Sequence, residues 1–391
     1  MLKVIKNGEV YGPHYLGKKD IFLAHNKIAS IADEINIPEG IIDIEVIDGT
    51  GKLVIPGLID SHVHIAGGGG EGSFKTRTPE IQLSDITKGG VTTVVGCLGT
   101  DGTTRNMLNL LAKARGLEEE GITTYIYTGS YQIPIKTVTD KIEDDIVIID
   151  KIIGVGEIAL SDHRSSQPTV QELKRLAAAA RMGGILSGKA GIVNVHLGDG
   201  EEAIELIEEV AKTTEIPIKQ FLPTHMNRNE YLFQKAICYG QRGGLIDLTT
   251  STTPKFLEEG EIKSSRGLKI LLEKKVPIEN ITFSSDGQGS LPAFDENGEY
   301  VGLQVGKVTS LYAAVRETVV EEKVPMEVAL QVATCNPANI LKLSKKGYIK
   351  ENYDADIVLL DKDSLEIDTV IALGKVMIEK GEVKVKGTFE G

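Results

Sequence analysis

The sequence predicts an α/β fold: a (β/α)8, TIM-like barrel carrying a small β-sandwich domain built from both chain termini. Three observations predict it. The middle of the 391-residue chain alternates apolar runs with amphipathic stretches, the pattern of strands joined by crossover helices. Those apolar runs are short and alternate little, which suits strands buried on both faces. Both ends of the chain instead repeat brief strands and turns with no helical period.

At the N-terminus Leu2-Lys3-Val4-Ile5 precedes Asn7-Gly8, residues 27–31 form a second run, and 41–47 lead into Asp48-Gly49. The C-terminus resumes the pattern at 357–360, 370–373, 376–378 and 383–385. Residues 1–54 and 345–391 are therefore expected to form the small domain, and 55–344 the barrel. Within the barrel the strand candidates are 58–64, 92–98, 123–128, 152–158, 192–197, 218–225, 245–251 and 281–285. Amphipathic stretches at 106–119, 170–181, 201–212, 229–240 and 262–275 separate most of them. A doubly wound open sheet is the alternative, and it would need a nucleotide fingerprint. None is present: the glycine run at 67–72 is not followed by Lys-Ser/Thr, and no G-x-G-x-x-G opens a helix after a strand.

Hydrophobic content of 41% and charged content of 25% are ordinary for a globular protein. The net charge of −13 argues against nucleic acid as a partner, because phosphate neutralisation needs basic surface. It leaves a small anionic substrate open, since that responds to local field. The three cysteines, Cys97, Cys238 and Cys335, are odd in number and form no C-x-x-C. A disulfide framework is not expected, and each reads as a small buried hydrophobe in a reducing compartment. The first residues show no signal-peptide pattern, and no apolar run reaches the length of a membrane span. A cytoplasmic location and no membrane partner are expected.

The chemistry starts at I-P-G-L-I-D-S-H-V-H, residues 55–64. His62 and His64 lie two apart, so on an extended chain both imidazoles leave one face and can close on one metal ion. The glycines that follow let backbone approach a ligand closely. In a barrel the active residues sit at the C-terminal strand ends. Those ends carry His62 and His64 (first strand), Glu157 (fourth), His196 (fifth), His225 (sixth) and Asp286 (eighth). Any one of these is more ordinarily a satisfied core or surface side chain, but six converging on one rim are poorly explained that way. Imidazoles and carboxylates without thiolate suit Zn²⁺, with Mn²⁺ or Co²⁺ as alternatives. Six donors exceed the three that one catalytic zinc uses, so two divalent metal ions sharing a carboxylate are expected.

Those motifs, with S-S-D-G at 284–287 and C-N-P-A-N at 335–339, resemble the amidohydrolase superfamily. G-G-G-G-E-G-S-F-K-T-R-T-P-E, L-G-T-D, T-G-S-Y, S-D-H-R-S, H-L-G-D and P-T-H-M-N-R-N are similar to the isoaspartyl dipeptidases within it, nearly end to end. Two departures stand out. Members of the superfamily usually bridge the metals with a carbamylated lysine at the end of strand four, where this chain offers Glu157. Both groups are bidentate with charge −1, but glutamate is shorter, so the strand must come nearer the metals. Gly156 would permit that as a bulge. Lys151 is the rival, at the wrong end of the strand. Asn352 replaces a glycine in a later turn, with little consequence because Asn tolerates positive φ.

The resemblance implies hydrolysis of β-aspartyl dipeptides to aspartate and an amino acid. A bridging hydroxide would be the nucleophile, and Asp286 would take its proton and pass it to the leaving nitrogen. Glu71 would hold the substrate α-ammonium, and backbone near Gly69 with Thr100 the adjacent carboxylate. Arg164 and Arg228 would grip the second carboxylate, Ser290 would add a hydrogen bond, and Tyr131 would face the oxyanion. The bland readings are a turn for the glycines, surface ion pairs for the arginines and a rim aromatic for Tyr131. His163 reads as a supporting residue, and His14 and His25 as incidental. The resemblance also implies a homo-oligomer, an octamer in relatives. A cyclic-amide hydrolase of dihydroorotase or hydantoinase type is the alternative enzyme; a metal-free scaffold is the non-enzymatic one.

Overall fold

β-Branched residues at alternating positions make the chain ends a sheet with two buried faces. The computed structural model describes residues 2–37, 43–294 and 300–391. The first strands are β1 (Leu2–Tyr11), β2 (Tyr15–Ala24), β3 (Lys27–Ala32), β4 (Ile44–Asp48) and β5 (Lys52–Pro56). The expected run from 41 is seen from Ile44; residues 41 and 42 lie outside the described residues.

The barrel follows, as β6 (Leu58–Val63), β7 (Val91–Gly96), β8 (Thr123–Thr128), β9 (Ile152–Leu160), β10 (Ile192–Leu197), β11 (Phe221–Thr224), β12 (Ile246–Thr249) and β13 (Ile281–Ser284). β6 to β11 pair in parallel in chain order, β12 pairs β13 in parallel, and β12 abuts β11. β13 returns to β6, where Val63 bridges Gly287, so the ring closes into a TIM-like barrel. All eight expected strands are present. A hairpin of β14 (Ser290–Phe294) and β15 (Tyr300–Val305), not expected from the sequence, rises beyond β13.

The chain then returns to the first sheet through β16 (Ile357–Asp361), β17 (Ile367–Ala372), β18 (Lys375–Glu379) and β19 (Glu382–Val383). The two termini thus share one nine-stranded mixed sheet, with β16 antiparallel to β5. Its residues alternate between two cores. Ile357, Leu359, Ile371 and Val54 meet Ile5, Val10, Ile21, Leu23 and Ile28 on one side. Val358, Leu360, Val370, Ala372, Leu53 and Ile55 join the barrel's helical layer on the other.

The same alternation runs through the barrel. Leu58, Val94, Ile126 and Phe221 face the helices, while their neighbours Ile59, Val95, Tyr127 and Leu222 fill the interior. Ala338, Leu341 and Leu343 plug that interior from below, at and beyond the helix Cys335–Ile340. At about 1.5–3 kcal/mol for each fully buried aliphatic side chain, this two-faced burial is what holds the ring shut. One end is therefore packed, and only the C-terminal end of the strands is left to build a site.

The crossover helices start at side-chain caps. Asn106 accepts from Asn109 N ahead of helix Met107–Glu120, and Asn229 does the same for Glu230–Gln241. Thr169 and Glu172 form a reciprocal capping box at Val170–Ser187. That helix outruns its expected end at 181 because Gly183 and Gly184 let it lie against Ile146 and Gly191.

Candidate active site

The rim is assembled by backbone contacts between β6 and the segment after β13. Asp60 Oδ1 accepts from Ser285 N at 3.1 Å, and His64 N donates to Gly287 O at 2.8 Å. These bonds set the H-x-H segment against Asp286. The His62 and His64 rings then stand 5.3 Å apart, and Asp286 Oδ1 lies 3.0 Å from His64 Nε2 and 3.6 Å from His62 Nε2.

Glu157 arrives across the barrel on a bulge. Val155 of β9 pairs Val193 of β10, but the next pair is Ile158 with Val195, so β9 carries one extra residue. Gly156 makes this possible: its φ is +152°, and a Cβ there would meet Asn194 O at 2.8 Å. The displaced Glu157 divides its oxygens. Oε2 lies 3.2 Å from His62 Nε2 and 3.7 Å from His64 Nε2; Oε1 lies 2.8 Å from His196 Nδ1 and 3.7 Å from His225 Nε2. Among the described residues, two clusters with metal-ligand spacing result, His62–His64–Cys97–Glu157 and Glu157–His196–His225, with Glu157 common to both.

The outer nitrogens of two imidazoles are already engaged. His196 Nε2 faces Asp162 Oδ2 at 3.0 Å, and His225 Nδ1 faces Thr249 Oγ1 at 2.6 Å. Each leaves its other nitrogen aimed at Glu157, the arrangement that orients a metal-binding histidine. Burial, followed by the nearby His196, pushes the His225 pKa down to about 3, so this imidazole is neutral, as a ligand must be. Burial pushes the Glu157 pKa up, but His62 and hydrogen bonds from the surrounding imidazoles outweigh it and hold the carboxylate well below its usual range. Cys97, Glu157 and Asp286 raise His62 and His64 well above the ordinary imidazole value against the opposing effect of burial. The cluster attracts positive charge.

Both ring nitrogens of His62, Asp286 Oδ1 and Asp60 Oδ2 are buried without a hydrogen-bond partner. Leaving such atoms unpaired costs about 1–3 kcal/mol each, and a bound cation would relieve that at His62 and Asp286. The residues fit a metal centre.

The cavity beside it, of about 200 Å³, is lined by Gly69, Glu71, Thr100, Tyr131, Arg164, Arg228 and Ser290, together with His64, His196 and Asp286. Every residue expected to touch substrate therefore lies on one wall or another of this space. Glu71 accepts from Thr100 Oγ1 at 2.9 Å and pairs with Arg164 Nη1 at 3.2 Å; Ser290 Oγ donates to it at 3.4 Å. Arg228 Nε donates to Leu197 O at 2.9 Å, which anchors its guanidinium at the cavity wall. Tyr131 OH is 2.9 Å from His196 Nδ1, and burial with Glu157 nearby raises its pKa well above the usual phenol, so it stays a proton donor. A second cavity of about 310 Å³ shares Arg228, Phe256 and Asp286 and adds Asp199, Glu259 and Glu261.

Some expectations are redirected. The supporting residue in S-D-H-R-S is Asp162: His163 turns outward with its side chain 86% exposed. Lys151 sits at the start of β9, paired with Glu118 away from the cluster. His14 and His25 fall in turns of the terminal sheet. Cys97, expected as an apolar filler, is buried against His64 and Glu157. Among the described residues no helix is long and apolar enough to cross a membrane.

The family model for the amidohydrolase family matches residues 53–377. The chain is 49% identical to the β-aspartyl dipeptidase of Fervidobacterium islandicum AW-1, solved in complex with a β-Asp-Leu dipeptide. The likeness covers 98% of each chain with a TM-score of 0.91. A D-hydantoinase at 18% identity and a TM-score of 0.70, covering 100% of this chain and 98% of its own, shares the fold. Among curated proteins, the dihydroorotase of Lactobacillus johnsonii is 24% identical over 92% of this chain and 89% of its own.

Proposed function

The chain belongs to the amidohydrolase family, on its β-aspartyl dipeptidase branch, and from that premise we propose that it hydrolyses the isopeptide bond of β-aspartyl dipeptides, releasing aspartate and an amino acid. The observation that carries this reading is the cavity in which Glu71, Arg164 and Arg228 stand beside the His–Glu–Asp cluster. A β-aspartyl dipeptide presents one ammonium and two carboxylates around its scissile amide, and this wall offers one anion and two cations.

On this reading His62, His64 and Asp286 would hold one divalent ion and His196 and His225 another, with Glu157 able to serve both, and Zn²⁺ is the ion that suits the donors. When bound, such ions lower the pKa of water and polarise a carbonyl. The rest falls to the chain. Asp286, an ionised carboxylate at the cavity wall, accepts the proton of the attacking water and returns it to the leaving nitrogen. Tyr131 donates a hydrogen bond to the oxyanion as charge develops on the former carbonyl oxygen. Glu71 holds the α-ammonium, with Ser290 bonded to its carboxylate. Backbone near Gly69 and the Thr100 hydroxyl receive the α-carboxylate, and the two arginines receive the terminal one. The acidic Glu71 is what separates this reading from a cyclic-amide hydrolase, whose substrates need no anion for an ammonium.

The domain reading is residues 1–54 with 345–391 as a sandwich folded around the Ile5–Val10–Ile21 core, and 55–344 as the catalytic barrel. It extends to a cytoplasmic homo-oligomer, an octamer, without nucleic acid or membrane partners. The decisive assay compares β-Asp-Leu with α-Asp-Leu on metal-loaded protein. The β isomer should be cleaved at least about 100-fold more efficiently, because the α isomer carries the same three charges at different distances from its scissile carbonyl and cannot meet Glu71 and the arginines together. Equal rates, or the reverse order, would sink the assignment.

A further inference from the structure

Cys97 sits one residue past β7, at the same rim as the histidines, and is fully buried. Its backbone N donates to Val63 O at 3.0 Å, which ties it to the H-x-H strand. Its Sγ lies 3.7 Å from His64 Nδ1, 3.7 Å from Val63 O and 4.0 Å from Glu157 Oε2. The thiol thus faces an imidazole, a carbonyl and a carboxylate, polar neighbours that a side chain present only to fill space does not call for. The neighbouring His62 has both ring nitrogens buried without a partner, although Glu157 Oε2 is 3.2 Å from its Nε2. Donors bound tetrahedrally at zinc distances of about 2.0–2.3 Å stand roughly 3.3–3.8 Å from one another. The 3.2 and 3.7 Å separations of His62 and His64 Nε2 from Glu157 Oε2 are about that size, and Cys97 Sγ, at 4.0 Å from the same oxygen, stands slightly farther out.

We propose that Cys97 is a thiolate ligand to the metal ion held by His62 and His64, which makes the two metal positions chemically unlike. The proposal rests on the metal-hydrolase reading above. Metal binding replaces the S–H bond with a sulfur–metal bond, and the thiol proton leaves to solvent. One position would then carry sulfur, two imidazoles and the carboxylates of Glu157 and Asp286, while the other would carry only nitrogen and oxygen. The softer set favours Zn²⁺ over Mn²⁺ at the first position and holds it through treatments that empty the second.

The test uses the full chain. Metal content is measured first, then zinc X-ray absorption on the wild-type protein, which requires no variant to fold. The expected result is a sulfur neighbour at about 2.3 Å, with one sulfur for every two zinc ions. Cobalt-loaded protein should show a near-ultraviolet sulfur-to-cobalt band that Cys97→Ser abolishes and Cys238→Ser and Cys335→Ser retain. On dialysis against a chelator the wild type should keep about one zinc ion per chain, at the first position, and Cys97→Ser should fall toward none. Bound zinc with nitrogen and oxygen neighbours alone, and no cobalt band, overturns the thiolate ligand while leaving the hydrolase reading standing; Cys97 would then only bond to His64. A protein that binds no divalent metal overturns both.

Discussion

Asp162 Oδ2 lies 3.0 Å from His196 Nε2, and the same carboxylate takes two hydrogen bonds from the Arg164 guanidinium, at 2.6 and 2.9 Å, and one from its backbone N at 2.8 Å. Burial raises the Asp162 pKa, but the Arg164 bonds and His196 outweigh that and hold it far below the usual carboxylate range. A charged acceptor therefore fixes which His196 nitrogen bears the proton, and the Nδ1 lone pair is left facing Glu157 and the Tyr131 hydroxyl. Asp162→Ala should weaken metal binding about 10- to 100-fold, the usual cost of losing such a partner. Competition against a chromogenic chelator measures it, and unchanged affinity would show that His196 needs no orienting group.

Glu157 is the group both clusters share, so its removal should be felt at each. Glu157→Ala is expected to lose at least one metal ion and all measurable turnover, while the fold persists because the bulge is built by Gly156 and not by the side chain. Elemental analysis beside circular dichroism reads both parts. Full activity with unchanged metal would place the shared ligand elsewhere.

The strand ends were legible because barrel strands are apolar on both faces and a polar residue closing one is conspicuous. His62, His64, Glu157, His196, His225 and Asp286 were found that way, and the structure brings all six together. The substrate wall was legible only through resemblance, since Glu71 and Arg164 lie 93 positions apart and no period links them. Asp162 and Thr249 escaped notice because each acts through a histidine from another strand, a relation that exists only once the barrel closes. Cys97 escaped for a different reason: a lone cysteine in an apolar run reads as packing until its neighbours are known. Helix Ile142–Ile148, one of several outside the expected stretches, has seven residues, two turns, too short for a period to declare itself.

Glu71 is already bonded to Thr100, Ser290 and Arg164, so its carboxylate is positioned before substrate arrives. Glu71→Gln keeps the shape and removes the charge. On β-Asp-Leu it should lower kcat/KM about 10- to 100-fold, matching the ~1.5–3 kcal/mol of a hydrogen bond to a charged group. On the N-acetylated dipeptide, which has no ammonium, wild type and variant should be equally poor. An equal loss on both substrates would assign Glu71 a structural part only.

On the proposed function the larger cavity beyond Arg228 would receive the side chain of the second residue of the dipeptide, and Glu261 with Asp199 and Glu259 makes that wall acidic. Burial pushes the Glu261 carboxyl up to about 7, against a hydrogen bond from Thr252 and the charge of Arg228. The sign follows directly. Below pH 7 Glu261 is mostly neutral and the wall is less negative; above it the carboxylate ionises and attracts a cation. A lysine side chain keeps its charge throughout this range, with an unperturbed pKa of about 10.4. The ratio of kcat/KM for β-Asp-Lys over β-Asp-Leu should therefore climb roughly 3- to 10-fold from pH 6 to pH 8, a modest gain because the pair is partly solvated. Taking the ratio cancels the titration of groups that serve both substrates equally. Glu261→Gln should flatten the curve; a ratio that stays level in wild type, or climbs equally in the variant, removes Glu261 from the specificity wall.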